Sequence, residues 1–355
     1  MEKIRILELF GGIGACSKAL ERLGIDYEIT DYVEIDKYAV KSFNAIHGTN
    51  FEPQDICAWN KDIEVDLIMH GSPCQDFSLA GKQAGGDKDS GTRSSLMYET
   101  IRIVDKLKPK YVIWENVKNL LSAKHKHNFN AYLETMEKLG YTNYYQVLNT
   151  KDYGIPQNRE RVFTISIRKD INKLFTFPPK QELKLKLKDM LEENVDEKYY
   201  LSDKMVNCFM SNGTGKYPRR ERFLQNINRK NQDVANAIIT TEGTKPTCNF
   251  IKIKKDTENY IEWKEKGKLD IDCRAFKEDK MSGAIMTTPK NKVIQNNSRI
   301  RKLTPKECWR LMGFDDASFE KAAKVNSNTQ LYKQAGNSIV VNVLEAILKQ
   351  LFKEE

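Results

Sequence analysis

Lys3-Ile4-Arg5-Ile6-Leu7-Glu8-Leu9-Phe10-Gly11-Gly12-Ile13-Gly14 is the stretch that decides the fold. Residues 3–10 alternate and then turn apolar, as a first strand does. The glycines follow, and residues 15–23 read as a helix closed by Gly24. Strand, glycine turn and helix make the first half of a nucleotide-binding unit, because the glycines let the backbone come close to a ligand. The full GxGxxG is missing, since Ser17 stands in the third glycine's place, and a glycine turn alone is a weak signal. The next strand, Tyr32-Val33-Glu34-Ile35-Asp36, brings Glu34 to a strand end 20 residues after Gly14. An acidic side chain there accepts from both ribose hydroxyls, and the spacing favours that over a solvated surface glutamate.

Working outward, residues 37–47 read as a helix, and Asp55-Ile56 closes a short strand where Asp55 would accept from an adenine amino group. Asp66-Leu67-Ile68-Met69-His70 is a short buried strand that ends in Gly71-Ser72-Pro73-Cys74-Gln75. Cys74 therefore lies just past a strand's C-terminal end, where open α/β sheets carry their chemistry. A cysteine is in general a small buried hydrophobe or a nucleophile. Here Gln75, Asp76, Ser78, Gly81, Gly85 and Gly86 follow, and a polar, glycine-rich segment does not bury a thiol well. Residues 95–107 repeat apolar positions at helical spacing up to Pro109. Tyr111-Val112-Ile113-Trp114 is a strand that delivers Glu115-Asn116-Val117 to the same edge as Cys74. A helix over about 129–139, a strand at 144–149 and a strand at 162–167 preceded by Gln157-Asn158-Arg159-Glu160-Arg161 complete the rhythm. Alternating strands and helices predict a doubly wound, mostly parallel α/β sheet with helices on both faces.

A chain of 355 residues has room for one large domain and a smaller one. Apolar residues make up 40% and charged residues 30%, with no run long enough to span a membrane and no signal-peptide pattern, so a cytoplasmic protein is expected. Seven scattered cysteines without CxxC or zinc spacing predict reduced thiols and no metal. His125 and His127 in a Lys-rich loop are expected to be solvated. The net charge of +9 favours an anionic partner, nucleic acid first.

The βα rhythm stops near Pro178-Pro179. Residues 181–300 are irregular, and 211–230 set Lys216, Arg219, Arg220, Arg222, Arg229 and Lys230 against Glu221 alone. In a long irregular insertion such a run reads as a phosphate-contacting surface. Thr304-Pro305-Lys306-Glu307 opens a helix with a capping-box pattern. Gln334-Ala335-Gly336-Asn337-Ser338 precedes a last helix, 339–352, with the apolar stripe of one that packs on the sheet.

Taken in order, these motifs resemble the DNA (cytosine-5)-methyltransferases, of the prokaryotic or phage type. The resemblance is carried by Phe10-Gly11-Gly12-Ile13-Gly14, Glu34, Asp55-Ile56, Gly71-Ser72-Pro73-Cys74-Gln75, Glu115-Asn116-Val117, Gln157-Asn158-Arg159-Glu160-Arg161, Arg301-Lys302-Leu303-Thr304-Pro305 with Leu311-Met312-Gly313-Phe314, and Gly336-Asn337-Ser338. It covers residues 4 to about 343. It implies a Rossmann-like catalytic and cofactor-binding domain, residues 1–180 completed by 325–355. A smaller irregular target-recognition domain, 181–324, would include the 300–314 motif. The implied cofactor is S-adenosylmethionine. Phe10, Gly12, Gly14, Glu34 and Ile35 would contact it from the first two strands, and Asp55, Ile56, Leu96, Asn337 and Ser338 from elsewhere. The implied partner is double-stranded DNA, touched by Gln75, Ser78, Arg219, Arg220 and Arg222. The enzyme would be a monomer, and any cognate restriction endonuclease would act separately.

The residue types suit that chemistry. Cytosine C5 is a poor nucleophile until a thiolate adds at C6. Addition pushes electron density toward N3 and O2, where a protonated or hydrogen-bonding Glu115 and Arg161 would stabilise it. Arg159 would hold the thiolate side or a phosphate. A nicotinamide dehydrogenase shares the opening but leaves Pro73-Cys74-Gln75 unexplained. A transfer-RNA methyltransferase of the same family is the second reading. A DNA-binding protein without activity would not need Cys74, Glu115 and Arg161 together.

Overall fold

Strand β1 (Ile4–Leu9) splits its side chains between two layers. Leu7 and Leu9 enter the main apolar core, while Glu8 on the opposite face meets helix α1 (Ala15–Leu23), where Ser17 donates to it. The computed structural model describes residues 2–73, 96–202, 205–206, 233–240, 242, 249–254 and 298–352. Among these, β2 (Tyr27–Val33), β3 (Leu67–His70), β4 (Tyr111–Val117), β5 (Tyr141–Asn149) and β7 (Glu160–Arg168) join β1 in a six-stranded sheet of order β2-β1-β3-β4-β7-β5. The two-residue β6 (Gln157–Asn158) lies outside it. The β1–β2, β1–β3 and β3–β4 pairs are parallel, and β4–β7 and β5–β7 antiparallel. The sheet is thus mostly parallel, as expected, with an antiparallel end.

Helices α3 (Met97–Leu107) and α4 (Lys126–Lys138) close one face, packing Met97, Ile103, Phe129 and Tyr132 on Leu7, Ile68, Val112 and Trp114. Each apolar side chain so buried contributes roughly 1.5–3 kcal/mol. Helix α2 (Lys37–His47) starts at Asp36, whose side chain caps Tyr38 N, and stops at Gly48 in the left-handed conformation. Past the irregular region come α5 (Pro305–Leu311), α6 (Asp316–Ala323), α7 (Asn328–Asn337) and α8 (Val341–Leu351). The last of these packs on α1.

Three expectations differ from the structure. Asp55-Ile56 closes no strand: Ile56 drops alone into the core beside Trp59, and Asp55 turns back to accept from Cys57 N. His125 is 1% exposed, buried just before α4, whereas His127 is exposed. The chain also divides elsewhere than at 181 and 325. One unit comprises 1–191, 231–247 and 305–355, the other 192–230 and 248–304.

The reason is packing within the first unit. Leu187 and Met190 are buried, and Leu187 N donates to Asp233 O. Strand β8 (Ala235–Asn236) pairs in parallel with β6. Trp309, Leu311, Met312 and Phe314 are almost fully buried. A loss of βα rhythm marks where the sheet ends, which is not where its covering ends. The second unit holds the antiparallel pair β9 (Phe250–Lys254) and β10 (Ser298–Lys302).

Candidate active site

The C-terminal ends of β1 to β4 all reach one edge of the sheet, the edge where open α/β sheets bind ligands. Two clusters form there.

The first surrounds the glycine turn. Phe10, Gly12 and Gly14 all take positive φ. At Gly14 a Cβ would run into His47 and Phe43, so only glycine fits. Glu34 leaves the end of β2 and accepts from Gly12 N at 3.2 Å and Asp36 N at 2.9 Å. Burial raises its pKa, against the pull of those backbone donors. Ile35 beside it is 69% exposed, an apolar side chain with its face open. Glu8 lies under the same turn, 2% exposed, and accepts from the backbone N and the hydroxyl of Ser17. Burial pushes its pKa up to about 7. The sequence reading passed over Glu8. The available signal was a carboxylate sharing a strand face with Ile4 and Ile6.

The second cluster lies at β3, β4 and β7. Antiparallel register sets Glu115 opposite Phe163 and Val117 opposite Arg161, so Glu115 and Arg161 are diagonal neighbours on one face. Their ion pair closes at 3.0 Å, with side chains 12% and 21% exposed. They border a small cleft walled by Thr150, Phe163, Ile339, Val340 and Val343 among others. The other face of β4 carries Trp114 and Asn116. Trp114 Nε1 donates to Ser72 Oγ at 3.0 Å, and Asn116 Nδ2 to Ser72 O at 3.3 Å. The Gly71-Ser72-Pro73 turn is therefore fixed to β4 immediately before Cys74. Cys74, Gln75, Ser78, Arg219, Arg220 and Arg222 lie outside the described residues.

Arg159 is 4% exposed and lines the cleft wall, but its Nη atoms donate to the carbonyls of Ile238, Gly336 and Ser338. It ties three chain segments together. Gln157 does the same, donating to Leu311 O and accepting from Ile238 N. Of the remaining expected contacts, Ile56 is buried, Leu96 precedes α3 and packs on the core, Asn337 is exposed and Ser338 buried. Among the described residues no group of three His, Cys, Asp or Glu side chains is arranged to hold a metal. None of their helices is long and apolar enough to cross a membrane.

The family model for C-5 cytosine-specific DNA methylases matches residues 4–353. The chain belongs to that family. It is 36% identical to the type II methyltransferase M2.ScrFI of Lactococcus lactis subsp. cremoris, over 99% of this chain and 100% of that one. It is 33% identical to the orphan methyltransferase M.SPBetaI of Bacillus phage SPbeta, over 99% and 98%. Among solved structures, a variant of Spodoptera frugiperda DNMT2 has the same fold, with a TM-score of 0.69 at 22% identity over 99% of this chain and 100% of that one. The chain is accordingly a DNA cytosine-C5 methyltransferase with a mixed α/β fold, an enzyme class whose chemistry requires a methyl donor.

Proposed function

We propose that the protein methylates C5 of a flipped-out cytosine in duplex DNA through a covalent bond between Cys74 and C6, with S-adenosylmethionine as donor. The observation that carries the reading is the convergence on one sheet edge of the anchored Gly71-Ser72-Pro73 turn and the Glu115–Arg161 pair. The glycine turn fits the donor: Glu34 offers a carboxylate to a ribose diol, and Ile35 offers an open apolar face to a flat ring. When bound, S-adenosylmethionine supplies an electrophilic methyl group on a positively charged sulfur.

Cys74, as thiolate, adds to C6 and makes C5 the nucleophile that takes the methyl. Charge spreading over N3 and O2 meets the Glu115 carboxyl and the Arg161 guanidinium. Loss of the C5 proton and departure of the Cys74 sulfur restore the ring and the enzyme. Arg159 works at one remove, holding the segments around Ile238 and Ser338 in place. A stacked cytosine exposes neither ring face, so the base must leave the helix, at a cost of a few kcal/mol. Residues 181–300 hold the sequence specificity, with Arg219, Arg220 and Arg222 on phosphates and Gln75 and Ser78 near the target base.

Trapping tests this. DNA with 5-fluorocytosine at the target should leave a stable adduct through Cys74, because fluorine cannot leave C5 as a proton does. Cys74→Ser should bind DNA, form no adduct and transfer no methyl. Turnover by the serine variant would defeat the assignment.

A further inference from the structure

An aromatic stack lies beneath the turn that leads to Cys74. His70, the last residue of β3, is fully buried, and its ring lies 5.7 Å from Trp114 and nearly parallel to it, at 4°. Tyr132 of α4 packs against both rings, 4.1 Å from Trp114 and 5.9 Å from His70, with its hydroxyl 3.2 Å from His70 Nε2. Phe129 stacks on Trp114 at 5.9 Å. Burial holds the His70 pKa down to about 3, so the stack carries no charge at neutral pH. Trp114 is 1% exposed, and an indole so enclosed is held to one rotamer, which gives its N–H one direction. That direction is Ser72 Oγ, at 3.0 Å. Ser72 is itself 3% exposed, so its hydroxyl has little water to bond with instead.

We infer that Trp114, buried against His70, Tyr132 and Phe129, is a positioning residue for the nucleophile: its indole N–H fixes Ser72, two residues before Cys74, and so sets where the thiolate stands. The inference rests on the proposed role of Cys74. Strand alternation divides the work at this sheet edge. Glu115 faces the substrate cleft, while Trp114 and Asn116, one residue to either side, hold the turn from behind. A misplaced nucleophile costs rate without costing affinity, because cofactor and DNA are held by other residues.

The test removes the donor while keeping an aromatic side chain at position 114, and Ser72→Ala removes the acceptor without touching the ring packing. Trp114→Phe should lower kcat and the rate of adduct formation on 5-fluorocytosine DNA by roughly 3- to 10-fold, the effect of one lost neutral hydrogen bond. The KM for S-adenosylmethionine and DNA affinity should stay at wild-type values. Ser72→Ala should give the same loss, and the double variant no further loss, since both remove one interaction. If Trp114→Phe does not fold, Ser72→Ala decides alone. Wild-type adduct rates in either variant, or losses that multiply, would overturn the inference and leave the Cys74 reading intact. If the wild-type enzyme itself forms no adduct through Cys74, that reading falls and takes this inference with it.

Discussion

Carboxylates at the two halves of the sheet's C-terminal edge are treated in opposite ways. At β4, Glu115 meets the guanidinium of Arg161. At β1 and β2, Glu8 and Glu34 are held by the backbone N–H groups of Ser17, Gly12 and Asp36 and by the Ser17 hydroxyl. Burial is the leading influence on both, and it raises both pKa values. Neither forms an ion pair among the described residues. One half of the edge is charge-compensated, and the other holds two carboxyl groups with no counter-ion among the described residues, beneath an open glycine turn. A cationic ligand is favoured in the second half, and a neutral ring that acquires negative charge only during reaction is favoured in the first.

Removing the compensation should have the largest effect. Arg161→Ala strips Glu115 of its partner and the developing charge of a donor. Single-turnover methyl transfer should fall about 10²- to 10³-fold with DNA binding retained. A loss confined to DNA affinity would make Arg161 a phosphate ligand and erase the contrast.

Glu8 gives the next effect, in stability. Its folded-state pKa of about 7 lies above the ordinary 4.5, so between those values the folded protein binds the extra proton. Stability contributed this way is present at low pH. It is lost as pH rises through that window, by on the order of 3 kcal/mol, and levels off above about 7. The check is the difference between Glu8→Gln and the wild type, read from urea midpoints at pH 5 and 8: the variant should gain on the wild type as pH rises and be the more stable protein at pH 8. His47 and His70, whose pKa values burial lowers to about 4 and about 3, add stability as pH rises through part of the same window, but they do so in both proteins and cancel in the difference. Parallel pH profiles for the two proteins would place Glu8 in contact with a cation or with water.

The smallest effect belongs to Glu34. Its replacement by alanine should weaken S-adenosylmethionine about 10- to 100-fold by calorimetry, the loss of hydrogen bonds to a charged group. Unchanged affinity would mean that the negative half of the edge holds something else.

What was legible in the sequence follows the range of the forces involved. Helices α1 and α2 begin and end where the sequence reading puts them, because Gly24, Gly48 and the Asp36 cap act within one turn. Glu115 and Arg161 could be assigned to one edge from strand order, but their diagonal pairing depends on an antiparallel register that no local pattern carries. Ile56 looked like the end of a strand because a single apolar residue does not reveal whether it pairs or simply fills a gap near Trp59. Gly336 lies inside α7, and what requires glycine there is not local either: a Cβ would fall on the backbone of Ile239 and Thr240, nearly a hundred residues distant in sequence. The ring stack on Trp114 was missed for the same reason, since β3, β4 and α4 each supply a part.

The close approach of residues 239–240 to Gly336 has a bearing on how this enzyme can be re-engineered. That short strap, pinned also by Arg159 and Gln157, returns the chain to the catalytic body halfway through the irregular region. The region is therefore two excursions along the chain, 192–230 and 248–304, which together form one compact unit. A graft that exchanged 181–300 as one cassette would replace the strap along with the excursions, and would ask a foreign segment to dock on Arg159 and Gly336. Transplanting the two excursions together and leaving 231–247 native keeps the contacts of Ile238, Ile239 and Thr240 with Arg159, Gln157 and Gly336.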